Sequence, residues 1–560
     1  MIEEKLREYL QTAAEKAGIQ DDVVIDTPII KEYGDFATGI ALKAVKALKK
    51  SPLIIAEEII NHIPKNKLID TVKIVKPGFI NIWVDRNELL QTVEKAAKNL
   101  FIVPPLHLGP QKKIMVEFAH PNTHKLFHIG HLRNIATGES IVRLLEATGN
   151  TVIRTNYQGD VGLHIAKCLY HIRKQGIDLK KPKTLQEKIK LLGSAYAAGQ
   201  EAYETDENAK QAIHEVNRMI YEKDPEILPL WSETVQWSID YFEDIYKRVY
   251  SRFDRCYFES EISKRGLNIS HDLLQKGVLK KSKGAVVFDG KSHGVDTRVF
   301  INSLGFPTYE GKELGLAEKE FSDFGEIDKN IHVVTPEQTS FFQTTFKVEE
   351  LIDEKKYKGK QYHLAYNWVK LKEGKMSSRI GNIIEGVWLI DEAKKRLRNK
   401  FKLNDDTAEI LAVASVKYSF LKISTKLEIY YDFEESISLE GNSAPYLIYT
   451  YVRTQSVLQK TKQKSEEITT ANLNEEERQL LRKLYQYSKS VYDSANKLSP
   501  NILATYLFEL AQDFNLFYQK NPINKAEKSK QAIRLMFTRA VGNTLRHGLD
   551  LLGIKTVEKM

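Results

Sequence analysis

A chain of 560 residues is too long for one hydrophobic core, and three or four domains are expected from length alone. Its hydrophobic content of 42% against 28% charged residues is ordinary for a globular protein, and a formal charge of +9 suits a lysine-rich surface before it argues for an anionic partner such as RNA. Two distant cysteines, Cys168 and Cys256, exclude a disulfide scaffold or a cysteine-rich zinc site, and no run approaches the roughly eighteen apolar residues of a membrane span.

The first segment, MIEEKLREYLQTAAEKAG, reads as an amphipathic helix without the apolar core of a secretion signal, so a cytoplasmic protein is expected. In SPLIIAEEIINHI, Ser51 supplies an N-cap and Pro52 a first helical residue. VKIVKPGFINIWV reads as two short strands around a Pro77-Gly78 turn. Residues 1–105 are therefore expected to form an independent α+β unit, ended by the proline-rich linker IVPPLHLGPQ. Over 112–400, strand-like IMVEF, TVIRTNY, GAVVF and NIHVVT alternate with helical stretches, which predicts a parallel sheet. A helical block at about 170–250 interrupts that pattern as an insertion. From 401 to 560 strand signals vanish, and SAPYLIYTYVRTQSVLQ and ATYLFELAQDFNLFYQ predict an aromatic-rich helical bundle.

The chemistry concentrates in PNTHKLFHIGHLRN, where three imidazoles, a lysine and an arginine surround Gly130. KKIMVEFA before it reads as a buried strand, and Leu132, Ile135, Val142 and Leu145 after it mark one helix face. Ligands of open α/β sheets bind where a strand ends and a helix begins, and a helix start offers free N–H groups to phosphate. His128 and His131 beside Lys125 thus suit a nucleoside triphosphate. Far downstream, KEGKMSSRIGN gathers lysines, serines, an arginine and two glycines in a loop. Alone it reads equally as a solvated basic turn. Together with the first cluster it supplies the other half of a phosphate clamp.

His128-Ile129-Gly130-His131 resembles the HIGH signature of class I aminoacyl-tRNA synthetases, and Lys375-Met376-Ser377-Ser378-Arg379 resembles their KMSKS signature. EYGDFATGIALK, FAHPNTHKLFHIGHLRN, TNYQGDVGLHIAK, ISLEGNSAPYLIYTYVR and LRHGLDLLGIKTVEKM are similar, in the same order, to segments of the arginyl-tRNA synthetase family. The resemblance covers essentially the whole chain. It implies a multidomain α/β protein with a Rossmann-like parallel-sheet catalytic domain at 112–400, carrying the inserted helical subdomain. An N-terminal α+β domain at 1–105 would meet the tRNA D-arm, and an all-α bundle at 401–560 would bind the anticodon. The implied reaction activates L-arginine with ATP to arginyl-adenylate and pyrophosphate, then transfers arginine to the 3′ end of tRNA(Arg). A monomer is expected, with Mg2+ on the ATP phosphates and no structural metal.

The resemblance assigns catalysis to Lys125, His128, His131, Lys375, Ser377 and Arg379, and ATP binding to His128, Gly130, His131, Lys375, Met376 and Gly381. One departure is Ser378, where the KMSKS pattern has lysine. Members lacking that lysine carry one just upstream of HIGH, and Lys125 fits that place. Glu259, Tyr309 and Glu313 are implied around the guanidinium, although the family usually has aspartate at the last position. Asn122 and Gln338 match residues at the amino acid's α-amino and carboxylate end, and Glu117 is a further candidate for the ammonium. Phe79 and Asn81 match the D-arm contact, Tyr446 (with Tyr449 and Tyr451) could stack anticodon bases, and Met560 would lie by the anticodon. The plainer alternatives are solvated glutamates and aromatics that pack cores. Two rival functions are another class I synthetase and a non-catalytic tRNA-binding paralogue. A cysteinyl enzyme would want zinc-ligand cysteines, and a paralogue would be expected to lose the motif histidines or the Lys375 loop.

Overall fold

The computed structural model describes residues 2–28, 33–105, 111–372, 384–461 and 473–560. The backbone divides into two compact units, one of residues 1–104, 450–490 and 506–547, the other of 105–449, 491–505 and 548–560.

In the first unit, α1 (Ile2–Lys16) buries Leu6, Leu10, Ala13 and Ala14, the stripe expected of an amphipathic helix. Strands β1 (Phe36–Thr38), β2 (Ile69–Val75) and β3 (Phe79–Val84) form an antiparallel sheet in the order β1-β3-β2. Helix α2 (Pro52–His62) begins where the sequence predicts, with the Ser51 side chain accepting from the Ile54 N–H and Pro52 in the first turn. Much of the C-terminal helical region also belongs to this unit.

The second unit is built on strands β4 (Lys113–Glu117), β5 (Thr151–Gln158) and β6 (Arg255–Phe258), then β7 (Lys280–Ser282), β8 (Ala285–Phe288) and β9 (Arg298–Ile301), then β10 (Lys329–Val334) and β11 (Gln361–Ala365). Five of them form a wholly parallel sheet in the order β11-β10-β4-β5-β6. Ile114, Met115 and Val116 of β4 are all buried, as in a strand covered on both faces. From β4 the chain moves outward through β5 to β6, then returns to place β10 and β11 on the other side. That reversal opens a crevice at the carboxyl ends of the central strands.

Two expectations are corrected here. GAVVF is not in the parallel sheet: it is β8 of a separate antiparallel sheet, β7-β8-β9. Lys283 and Gly284, the latter at φ +80°, join β7 to β8 directly, and so short a turn permits only antiparallel pairing. Strands also continue past residue 400, since β12 (Val369–Leu371) pairs in parallel with β13 (Ile429–Tyr431).

Helix α3 (Ile129–Ala147) connects β4 to β5. The expected insertion comprises α4 (Leu163–Lys174), α5 (Leu185–Thr205), α6 (Glu207–Glu222) and α7 (Leu228–Arg248). It has its own core, including Ile165, Leu169, Leu192, Ile213 and Trp237. After β6 comes α8 (Glu259–Gln275), and after β9 comes α9 (Tyr309–Phe324).

Candidate active site

The turn between β4 and α3 is conformationally demanding. Ala119, His120 and His124 all have positive φ, a region that side-chain-bearing residues seldom adopt. The turn is held from both flanks, because the Ala119 N–H donates to Asn134 Oδ1 (2.7 Å) and the His120 N–H to Asn156 Oδ1 (3.1 Å). His124 is buried among Thr123, Thr234 and Ser238, so this first imidazole of the motif is structural.

The other two imidazoles cap α3. The Gly130 N–H donates to His128 Nδ1 (3.1 Å), and the His128 N–H donates to His131 Nδ1 (3.2 Å). The rings stack with centroids 3.8 Å apart. Burial, assisted by the Lys125 charge, lowers the His128 pKa, and burial with the His128, His120 and Lys125 charges lowers that of His131. Both rings are therefore neutral, and with Nδ1 accepting, the proton sits on Nε2 of each. Gly130 has a local reason as well: a Cβ there would lie 2.9 Å from the His128 ring.

Lys375, Met376, Ser377, Ser378, Arg379 and Gly381 lie outside the described residues. The chain just after them is tied to the histidine turn. The Ile129 N–H donates to the Ile384 carbonyl (2.9 Å), the Gly386 N–H donates to the Phe127 carbonyl (2.8 Å), and Tyr241 donates to Glu385 Oε1 (3.1 Å). The chain just before them is tied to α3 by Arg133, the arginine of the histidine cluster. Its guanidinium donates to the carbonyls of Asn367, Trp368, Thr425 and Leu427.

Lys125, Glu259, Tyr309 and Lys312 line one cavity of about 1220 Å³, together with His164 and Lys167 of α4. Glu259 opens α8 and Tyr309 opens α9, so the two helix starts aim into the cleft. Asn122 meets Glu259 at Gly159, where a Cβ would lie 2.2 Å from Asn122 Oδ1 and 3.7 Å from the Glu259 carboxyl carbon. Tyr309 is 70% exposed. Lys312, which no sequence motif marks, places its Nζ 2.7 Å from Glu259 Oε2. Burial alone would lower the Lys312 pKa, but the Glu259 charge and hydrogen bond and the neighbouring Tyr221 raise it overall.

Glu117 and Glu313 are not on the cleft lining. They belong to a buried layer with Glu320 and Glu349, beneath the crevice. His332 Nδ1 is 3.1 Å from Glu117 Oε1, Asn330 Nδ2 donates to Glu320, and Gln361 Nε2 donates to Glu349. Burial pushes all four carboxyls above the usual range. Gln338 is exposed at the end of the short 3-10 turn that follows β10.

Phe79 is 41% exposed, whereas Asn81 is 2% exposed and donates to the Tyr33 carbonyl (2.7 Å). The pair is thus not a shared surface: the ring faces outward and the amide holds the small sheet's own loop. Tyr451 is buried core, Tyr446 is half-buried and Tyr449 exposed, and Met560 is half-buried.

Three family models match in succession: "Arginyl tRNA synthetase N terminal domain" over residues 1–84, "tRNA synthetases class I (R), catalytic domain" over 100–434, and "DALR anticodon binding domain" over 447–560. A curated arginine--tRNA ligase of Bdellovibrio bacteriovorus is 31% identical, covering 97% of this chain and 95% of its own. That of Borreliella burgdorferi is 29% identical over 100% and 99%. Among solved structures, Thermus thermophilus arginyl-tRNA synthetase has the same fold, with TM-score 0.84 at 24% identity over 100% of both chains. The Plasmodium falciparum enzyme has TM-score 0.84 at 20% identity, over 100% and 99%.

Proposed function

The chain belongs to the arginyl-tRNA synthetase family and is an arginine–tRNA ligase that uses ATP, and from that premise we propose which of its residues carry each step. In the first step a carboxylate oxygen of arginine bonds to the α-phosphorus of ATP, and the bond to the β-phosphate breaks, releasing pyrophosphate. The nucleophile is already ionised, so alignment and charge stabilisation matter more than a strong base. His128 and His131 offer their Nε2–H groups to the nucleotide, supported by the backbone bonds that occupy both Nδ1 atoms. Gly130 lets that pair of rings stack over the helix start.

Lys125 supplies the cation that Ser378 does not. Lys375, Met376, Ser377, Arg379 and Gly381 act from the opposite side of the triphosphate. The attachment of Ile384 and Gly386 to the histidine turn supports this, because the chain that follows those residues is bonded beside His128. Glu259 receives the guanidinium with Tyr309 beside it, and Glu313 contributes from the buried layer. Asn122 and Gln338 hold the α-amino and carboxylate end, and Glu117 acts on the ammonium from the buried layer. Magnesium arrives as the ATP complex, for which phosphate oxygens are natural ligands; among the described residues no cluster of His, Cys, Asp or Glu could hold a metal.

The division of labour follows the chain: 1–105 for the D-arm, 112–400 for catalysis and 401–560 for the anticodon. Outward-facing Phe79 supports a D-arm contact, with Asn81 acting through Tyr33. Tyr446 and Met560 are assigned to the anticodon side. A monomer in a reducing cytoplasm completes the proposal, in keeping with two unpaired cysteines, Cys168 and Cys256. No helix among the described residues is long and apolar enough to cross a membrane.

The paired-histidine cap, joined to the chain that carries Lys375, is the observation on which the site assignment rests. Its test is charging of total tRNA with each labelled amino acid in turn, with ATP and Mg2+. Arginine alone should be attached, and His128→Ala should abolish it. Full charging by His128→Ala would remove these histidines from the reaction.

A further inference from the structure

Lys312 occupies the carboxylate that the proposed reaction reserves for the substrate guanidinium. Its ammonium lies 2.7 Å from Glu259 Oε2, and both side chains are only 7% exposed. The Tyr221 and Tyr309 rings lie 5.7 and 5.5 Å from Nζ. Helix spacing builds this contact. A Cβ on Gly266 of α8 would lie 2.1 Å from the Gly311 carbonyl oxygen of α9, and one on Gly315 would lie 2.7 Å from the Gly266 nitrogen. The backbones touch there, so a lysine one position after Gly311 reaches the first residue of the neighbouring helix.

Resting on the reading that Glu259 receives the guanidinium, we propose that Lys312 is a built-in occupant of that subsite and determines its selectivity for a planar fork over a point ammonium. A substrate ammonium would compete with an identical group for Glu259 Oε2. The resident is tethered, so it competes at a high effective concentration and wins. A guanidinium is different. It is flat, weakly hydrated and spreads its charge over several N–H donors, so it takes the Oε1 edge of Glu259 or exchanges with Lys312 through two bonds at once.

The test is ATP–pyrophosphate exchange by the full chain with tRNA present, comparing arginine with lysine. Lys312→Arg keeps the charge pair but places a fork on both oxygens of Glu259. It should raise KM for arginine by about tenfold or more while kcat changes little. Lys312→Met should narrow the arginine-over-lysine ratio in kcat/KM by about tenfold or more. An arginine KM unchanged in Lys312→Arg would overturn the proposal, since a lysine that merely neutralises Glu259 is replaceable by arginine. An unchanged ratio in Lys312→Met would overturn it too. If Lys312→Met does not fold, Lys312→Arg decides alone. Glu259→Gln separates the two levels: an arginine KM unaffected by that change would remove the subsite reading itself.

Discussion

Arg133, the arginine of HIGHLRN, is 1% exposed and serves as a clamp with no route to substrate. Nη1 donates to the carbonyls of Asn367 and Trp368, the latter at 2.9 Å, and Nη2 donates to those of Thr425 (3.4 Å) and Leu427 (3.0 Å). Burial lowers its pKa to about 10, so it is charged at neutral pH. In Arg133→Lys, one ammonium can reach one carbonyl pair and must abandon the other. Hydrogen bonds to charged groups contribute about 1.5–3 kcal/mol each, so losing two costs about 3 kcal/mol at the low end. In a unit of this size that corresponds to a melting shift of roughly 4 °C. The segment it releases leads through β12 toward Lys375, so adenylate formation should fall as well. Scanning calorimetry and single-turnover adenylate formation would be measured together. A shift below about 2 °C with normal adenylate formation would refute the clamp.

Three further substitutions test other parts of the account. Gly130→Ala places a methyl 2.9 Å from the His128 ring, which must then leave its cap position; adenylate formation should drop by about tenfold or more while arginine KM holds, as read by pyrophosphate exchange. Lys125→Ala should depress adenylate formation by about a hundredfold with little change in arginine binding, and equal losses in both would instead point to a general defect. Lys417 is buried, donates to the Val249 (2.8 Å) and Gly553 (2.5 Å) carbonyls, and has a pKa lowered by burial from 10.5 to about 7. Between those values the unfolded chain holds a proton that the fold does not, so stability should rise with pH across pH 7 to 10.5, by at most about 1.4 kcal/mol per unit. Lys417→Met should flatten that rise, and parallel melting-against-pH curves for the two proteins would contradict it.

Local patterns were readable where one face or one motif sufficed. The apolar run of β4, the Ser51-Pro52 helix start and the strand-to-helix position of His128 needed only neighbours in sequence. RCYF and QYHLA, which become β6 and β11, are short and partly polar, and their pairing comes from the sheet rather than from their own pattern. GAVVF had a convincing strand composition, but its partner was fixed by the turn before it. Glu313 reads as a pocket residue and Asn81 as a surface contact, and both are buried, because burial is a tertiary property. Arg133 finds its acceptors more than two hundred residues away, and Lys312 finds Glu259 fifty-three residues upstream, distances no periodicity reports.

A structure of the protein bound to a non-hydrolysable arginyl-adenylate analogue tests the central claim most directly. The account predicts the guanidinium against Glu259 in the cavity beside Tyr309, with the nucleotide on the Nε2 side of His128 and His131. A guanidinium seated elsewhere, with Glu259 still held by Lys312 alone, would contradict it.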